Sequence, residues 1–317
     1  MSLTILKALK PKEVSLKFEI HKRLAGWDEP RPHFPLRASD LMSTKAEFCP
    51  REHAFMDMGS VKKKAQFLGT AMQITFDHGR TMEDKIRNEY LRDIAVGIWK
   101  CGVCGHPHPT FGKAPKVTCT HCGWGHQWKY EEPRFASPEF AVSGGIDLLV
   151  DVGQPKLLLV EIKTMAPDMF KDLVGPLAEH KIRTALYLKL AEESECAASD
   201  RINVNEARVI YVMRSFGIKD DSLAAAGIKD AAFSPFKEFT ITRDDSLLTT
   251  SLAKAKVLKV WRDTKQGMPC GVCANGLTKR AQGCPAVAQC FSGKYQNTIT
   301  WMGVDGSPKH PGKTLIT

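Results

Sequence analysis

Residues 144–163, GGIDLLVDVGQPKLLLVEIK, place the tightest constraint on what this chain can fold into. The apolar run Leu157–Val160 is followed at once by Glu161 and, two positions later, by Lys163. Apolar stretches on either side of Gly153, Gln154 and Pro155 predict two short strands, Ile146–Asp151 and Lys156–Lys163, joined by a turn. Strand side chains alternate between faces, so Glu161 and Lys163 project together while Ile162 points away. Pairing of the strands brings Asp147, at the head of the first, beside Glu161. Two carboxylates and an ammonium then sit at the end of strands that are otherwise apolar. Burying such charges is costly unless they pair with one another or bind a metal.

Two carboxylates on one face can hold Mg²⁺ or Mn²⁺, which take oxygen ligands and keep several waters. Such an ion acidifies a bound water and shields a phosphate oxygen. Lys163 is placed to orient that water or to stabilise developing negative charge. The plainer reading is a hairpin carrying a surface ion pair between Glu161 and Lys163.

The chain has 317 residues, enough for one large domain with an insertion or for two modest domains. Hydrophobic content of 43% and charged content of 25% describe a globular protein. No apolar run approaches the length of a membrane span, and the N-terminus lacks the apolar core and cleavage site of a secretory leader. The expectation is therefore a cytoplasmic protein without a membrane partner. A net charge of +10 suits a polyanion such as DNA.

The cysteines are grouped. Cys101, Cys104, Cys119 and Cys122 form one set, Cys270, Cys273, Cys284 and Cys290 another, and Cys49 and Cys196 stand apart. Without a leader, paired Cys-x-x-Cys units argue for metal rather than disulfides. The first set makes two Cys-x-x-Cys-Gly knuckles at a spacing that suits tetrahedral Zn²⁺, which would fold an otherwise coreless segment. His106, His108, His121 and His126 are then exposed polar residues. Trp124, Trp128, Tyr130, Lys113 and Lys116 either contact nucleic acid or pack the small ribbon. The second set fits either a further zinc site or an iron–sulfur cluster, which can recruit a thiolate from far away in sequence.

Along the rest of the chain, residues 1–37 read as a basic arm and Pro-rich connector. A helix starts near Ser39, and Cys49-Pro50 breaks it. Residues 66–99 show helical spacing through Ile74, Met82, Ile86, Tyr90 and Ile94. Glu83 on that helix either reaches a site or pairs with Arg87 at i,i+4. Residues 165–193 are mostly helical, and His180, Arg183 or Thr184, and Tyr187 share a face. Arg208–Arg214 and Phe236–Thr242 read as strands and Thr249–Thr264 as an amphipathic helix. The fold class expected is α/β, a mixed central sheet flanked by helices with an inserted zinc ribbon.

In order, the chain carries Cys49-Pro50-Arg51, Gly79-x3-Glu83, Gly145-Ile146-Asp147, Glu161-Ile162-Lys163-Thr164, His180-x2-Arg183-x3-Tyr187 and a C-terminal cysteine cluster. This series resembles the PD-(D/E)XK nuclease superfamily, in particular RecB-type exonucleases with an iron–sulfur cluster, similar to those of CRISPR adaptation and phage recombination. The resemblance implies a restriction-endonuclease-like core over residues 38–98 and 130–291, interrupted by the ribbon at 99–129, with a tail at 292–317. It implies Asp147 and Glu161 as Mg²⁺ or Mn²⁺ ligands, helped by the Ile162 carbonyl, and Lys163 as the catalytic lysine. Tyr187, His180 and Arg183 would position substrate. Cys49 and three of Cys270, Cys273, Cys284 and Cys290 would hold a 4Fe–4S cluster, with Cys270 and Cys273 competing for one place. Where the family often has a metal-binding His, this chain has Met82, and Glu83 or His78 would substitute. Where the family has Gln, this chain has Arg183.

The activity implied is metal-dependent exonucleolytic hydrolysis of single-stranded DNA or duplex ends, in recombination, repair or phage DNA processing within a bacterial or phage-infected cell. The ribbon would add a DNA contact or a recombination or replication protein partner. The alternatives are a structure-specific endonuclease and a non-catalytic nucleic-acid-binding scaffold, the latter favoured by Met82 and Arg183.

Overall fold

The computed structural model describes residues 24, 26–28, 36–42, 47–62, 66–125, 127–194, 199–214, 235–295 and 298–300. His126, Cys196, most of the N-terminal arm and residues 301–317 of the tail lie outside them. From the N-terminus come β1 (Gly26–Asp28), β2 (Leu36–Arg37), α1 (Ala38–Leu41) and α2 (Pro50–Asp57). Asp40 accepts the Arg37 amide at the start of α1. Pro50 opens α2 rather than ending a helix: it lacks an N–H that the first turn would leave unused, and its φ is already helical. Next are β3 (Gln66–Leu68), antiparallel to β1, and α3 (Thr70–Lys85), which loosens into a π-turn at Ile86–Tyr90.

The helical spacing through residues 66–99 overruns what forms. The helical path stops at Tyr90, and Val96–Cys101 is a strand, β4. Ile74 and Tyr90 are exposed, and Gly79 is the one described residue of α3 that is buried. A Cβ at Gly79 would stand 3.2 Å from Thr164 Oγ1, so the glycine lets α3 lie close on the sheet.

β4 pairs antiparallel with β5 (Gly112–Lys113) and β6 (Trp128–Glu131), making the ribbon. β7 (Arg134–Ser137) and β8 (Val142–Gly145) follow, with β2 parallel to β8 at the edge. The central sheet has the order β12–β11–β10–β9. Its strands are β9 (Leu148–Val150), β10 (Leu157–Met165), β11 (Ile202–Met213) and β12 (Phe236–Thr242). β9 and β10 form the expected hairpin, with Gly153 at φ +79 in the turn, where L side chains are strained. β10 and β11 run parallel, linked by α4 (Pro167–Lys171) and α5 (Ala178–Glu193).

Alternation along β10 divides the core. Leu158, Val160 and Ile162 face a cluster shared with Leu148, Val150, Trp99, Trp128 and Tyr130. Leu159 faces the opposite cluster, which includes Ile146, Leu186, Tyr187 and Leu190. Each fully buried Leu or Ile contributes about 1.5–3 kcal/mol by leaving water. The ribbon is therefore not coreless. Its base is packed on the sheet, and Tyr130 joins the two by donating to Val96 O and accepting the Leu149 amide. Trp128 and Tyr130 are packing residues, whereas Trp124 is 63% exposed.

After β12, α6 (Thr249–Thr264) packs on α2, and Arg262 pairs with Asp57 at 2.6 Å. β13 (Met268–Pro269), α7 (Lys279–Gln282) and α8 (Val287–Cys290) then return to the start of α2, and β14 (Thr298–Ile299) pairs parallel with β13. The result is a mixed α/β fold, as the sequence pattern predicts. Among the described residues no helix is long and apolar enough to cross a membrane.

Candidate active site and metal centres

Glu161 and Lys163 leave β10 on the face covered by α5, and Asp147 approaches from the residue just before β9. Lys163 Nζ stands 2.6 Å from Glu161 Oε1 and 3.3 Å from Asp147 Oδ2, and it also donates to the Ile162 carbonyl at 2.9 Å. Asp147 Oδ2 accepts the Ile162 amide at 2.8 Å, which fixes the carboxylate against the strand. Glu161 is 1% exposed, and its Oε2 is buried with no hydrogen-bond partner. An unpaired carboxylate oxygen at that depth costs free energy unless something else binds it. Burial first, then the Asp147 charge, push Glu161 up to about 8, against the pull of Lys163. Burial opposes the charge on Lys163, but Asp147 and Glu161 outweigh it and raise the ammonium.

Helix α3 brings Glu83 to this group. Burial and then Asp147 raise its carboxyl to about 7, while Lys163 and Arg87 pull it down. Glu83 lies in the field of Asp147 and also meets Arg87 at 3.6 Å. Met82, its neighbour, turns the other way and lines an apolar groove with Ile86, Ile210, Val212 and Phe236. His78 is exposed on α3.

Arg87 and Glu132 complete the acidic edge, and sequence reading gave Glu132 no role. Arg87 Nη1 pairs with Glu132 Oε1 at 2.6 Å and Nη2 with Asp84 Oδ1 at 3.3 Å, while Nε donates to Glu83 O. The i,i+4 spacing of Glu83 and Arg87 was visible. Glu132, 45 residues from Arg87, carries no local signal for the pairing.

From α5, Tyr187 and His180 are buried and Arg183 is partly so. Burial, then Glu161 and Asp147, raise the Tyr187 phenol. Arg183 contributes positive charge at Glu161, and its Nε is buried without a partner. His180 Nδ1 lies 2.7 Å from Tyr211 Oη, which also accepts the Leu177 amide. Burial, then Lys163, lower His180 to about 4.

In the ribbon, the ligand atoms of Cys101, Cys104, Cys119 and Cys122 all lie within 4.8 Å of one another. Cys101 and Cys122 approach to 3.7 Å, as do Cys104 and Cys119. Tetrahedral zinc with about 2.3 Å bonds to sulfur places its ligands about 3.8 Å apart, so the four thiols fit one such ion. Gly105 and Gly123 take φ of +72 and +73 and return their amides to Cys101 O and Cys119 O, which shapes both knuckles. The amides of Cys104 and Val103 aimed at Cys101 lower its thiol to about 6, whereas burial and the neighbouring thiols raise Cys104 and Cys122.

The second cysteine set meets the N-terminus of α2. Cys49, Cys273, Cys284 and Cys290 line one cavity. Cys270 does not line it and packs against Val257. No three of the four come as close together as the ribbon thiols do. The amides of Glu52 and Val272 point at the Cys49 sulfur and that of Ala286 at Cys284. Burial nevertheless pushes the Cys49 thiol up to about 11.

No protein-family model matches the chain, and no curated protein matches it. Among solved structures, it is similar to SSO0001, with a TM-score of 0.32 and 13% identity, over 78% of this chain and 84% of that one. It is also similar to LHK-Exo, solved in complex with dAMP, with a TM-score of 0.32 and 15% identity, over 72% of this chain and 88% of that one.

Proposed function

We propose that this protein is a metal-dependent phosphodiesterase acting on DNA from an end, with Asp147, Glu161 and Lys163 as its catalytic group. One observation carries the reading: a lysine ammonium bridges two carboxylates, and one of these keeps a buried oxygen without a partner. An interior ion pair built only for stability gains little from such an orphan. The donor set suits a hard divalent cation. Asp147, Glu161 and the Ile162 carbonyl would hold it, with Glu83 in support. Bound there, Mg²⁺ or Mn²⁺ would supply a Lewis acid and a more acidic water.

The chain's own groups do the rest. Lys163, fixed between both carboxylates, faces negative charge developing on a phosphate and helps to orient the attacking water. A bond forms from water oxygen to phosphorus, the bond to the 3′-oxygen breaks, and that oxygen takes up a proton. Arg183 offers a guanidinium to a phosphate, and Tyr187 shapes the wall against which the substrate rests. His180, neutral and bonded to Tyr211, sets the start of α5. Met82 does not argue for a dead site, because it packs away from the acids and the helix presents Glu83 in its place.

In this reading the core spans residues 38–98 and 130–291 and the ribbon 99–129 is an insertion holding Zn²⁺, with a role in DNA or protein contact. Cys49, Cys273, Cys284 and Cys290 hold a 4Fe–4S cluster that ties the start of α2 to the C-terminal segment. The test uses purified protein, Mn²⁺, and labelled linear and circular DNA in single- and double-stranded forms. Linear molecules should shorten and circles persist. Cut circles would make it an endonuclease, and binding without cleavage under any divalent metal would make it a scaffold.

A further inference from the structure

We infer that Arg280 and Glu52 form a charge pair that sets the reduction potential of a cluster in the Cys49 cavity. This rests on the iron–sulfur assignment above. Arg280 sits on α7 and reaches back to α2. Its Nε and Nη2 donate to Glu47 O at 3.3 and 3.1 Å, and Nη2 pairs with Glu52 Oε2 at 2.6 Å. The same side chain hydrogen-bonds Cys284 and acts electrostatically on Cys49. Arg280 and Glu52 both line the cavity with the four cysteines.

These contacts go beyond what a surface ion pair needs. A guanidinium has several fixed donors and stays charged, so three oxygen contacts can anchor it while it still serves a sulfur. Four thiolates around an iron–sulfur core leave net negative charge, and each electron added makes that charge larger. Charge and hydrogen bonding at the sulfurs are levers on cluster potential. Arg280 favours the reduced form. Glu52, which opposes thiolate charge at both Cys49 and Cys284, favours the oxidised form. The pair has opposite signs on one cavity wall, so its two members act in opposite directions.

The full chain is purified without oxygen, and its iron, sulfide and visible absorbance are measured first. A colourless protein with zinc in this cavity would overturn the cluster assignment itself. With a cluster present, its potential is measured by titration with dithionite in wild type, Arg280→Gln, Arg280→Lys and Glu52→Gln. At the wild-type midpoint, Arg280→Gln should shift the oxidised-to-reduced ratio at least threefold toward oxidised, about 28 mV for one electron. Glu52→Gln should shift it toward reduced, and Arg280→Lys should remain near wild type. A loaded cluster whose potential ignores all three substitutions would overturn this inference and leave the assignment standing. Shifts of one sign for both neutral variants would mean that the pair acts only by holding α7 on α2, and would overturn it too.

Discussion

Tyr187 leaves no room for a side chain at Gly144. A Cβ there would stand 2.7 Å from Tyr187 Cε1 and 3.3 Å from Leu190 Cδ1. The glycine sets how closely β8 meets α5, and hence where Tyr187 stands relative to Glu161. Gly144→Ala should cost about 1–3 kcal/mol through overpacking, read as a lower denaturation midpoint. A wild-type midpoint would show that the contact is slack.

Tyr211 supports the same helix from the sheet. Its hydroxyl accepts the Leu177 amide at 3.0 Å and meets His180 Nδ1. Tyr211→Phe keeps the ring and leaves both groups short of a partner, so it should cost about 1–3 kcal/mol. Amide exchange at the first turn of α5 should rise with it. Unchanged exchange there would contradict the account.

The acidic edge carries a pH signature. Glu161 is raised to about 8 and Glu83 to about 7. A carboxyl raised on folding binds more protons folded than unfolded, so its contribution favours folding near pH 4.5 and is lost as pH rises through the folded value. Glu83→Gln and Glu161→Gln should each flatten that decline between about pH 4.5 and 8. Binding of Mn²⁺ must displace the same protons. Calorimetry at pH 6.5 in buffers of different ionisation enthalpy should report net proton release. Binding without proton release would place the metal elsewhere.

The ribbon shares its apolar core with the central sheet through Trp99, Trp128 and Tyr130. If its four cysteines hold the proposed zinc, loss of that ion should therefore reach the sheet. Cys119→Ser should remove one zinc per chain and lower the main thermal transition, rather than melt the ribbon alone. An unchanged main transition would show that the ribbon folds independently.

Much of this was legible locally. The turn at Gly153, the shared face of Glu161 and Lys163, and helix Thr249–Thr264 follow from alternation, helical spacing and turn chemistry. The strand Val96–Cys101 did not, because Ile86, Tyr90 and Ile94 continue a helical spacing that tertiary packing interrupts. Exposed Ile74 and Tyr90 counterfeit an apolar face. Cys270 and Cys273 are equivalent by spacing, and it takes the fold to show that Cys273 lines the cavity with Cys49, Cys284 and Cys290. Arg87 and Glu132 meet through the fold alone, so no local pattern announces them.

The central claim rests on the ammonium held between Asp147 and Glu161. Its most direct test compares digestion of end-labelled linear DNA with Mn²⁺ by wild type, Asp147→Asn and Lys163→Gln, each first shown to be folded. Wild type should release nucleotides, and both variants should lose activity by at least about 100-fold, the scale expected when a group that stabilises developing charge is removed. Equal digestion by all three would contradict the assignment.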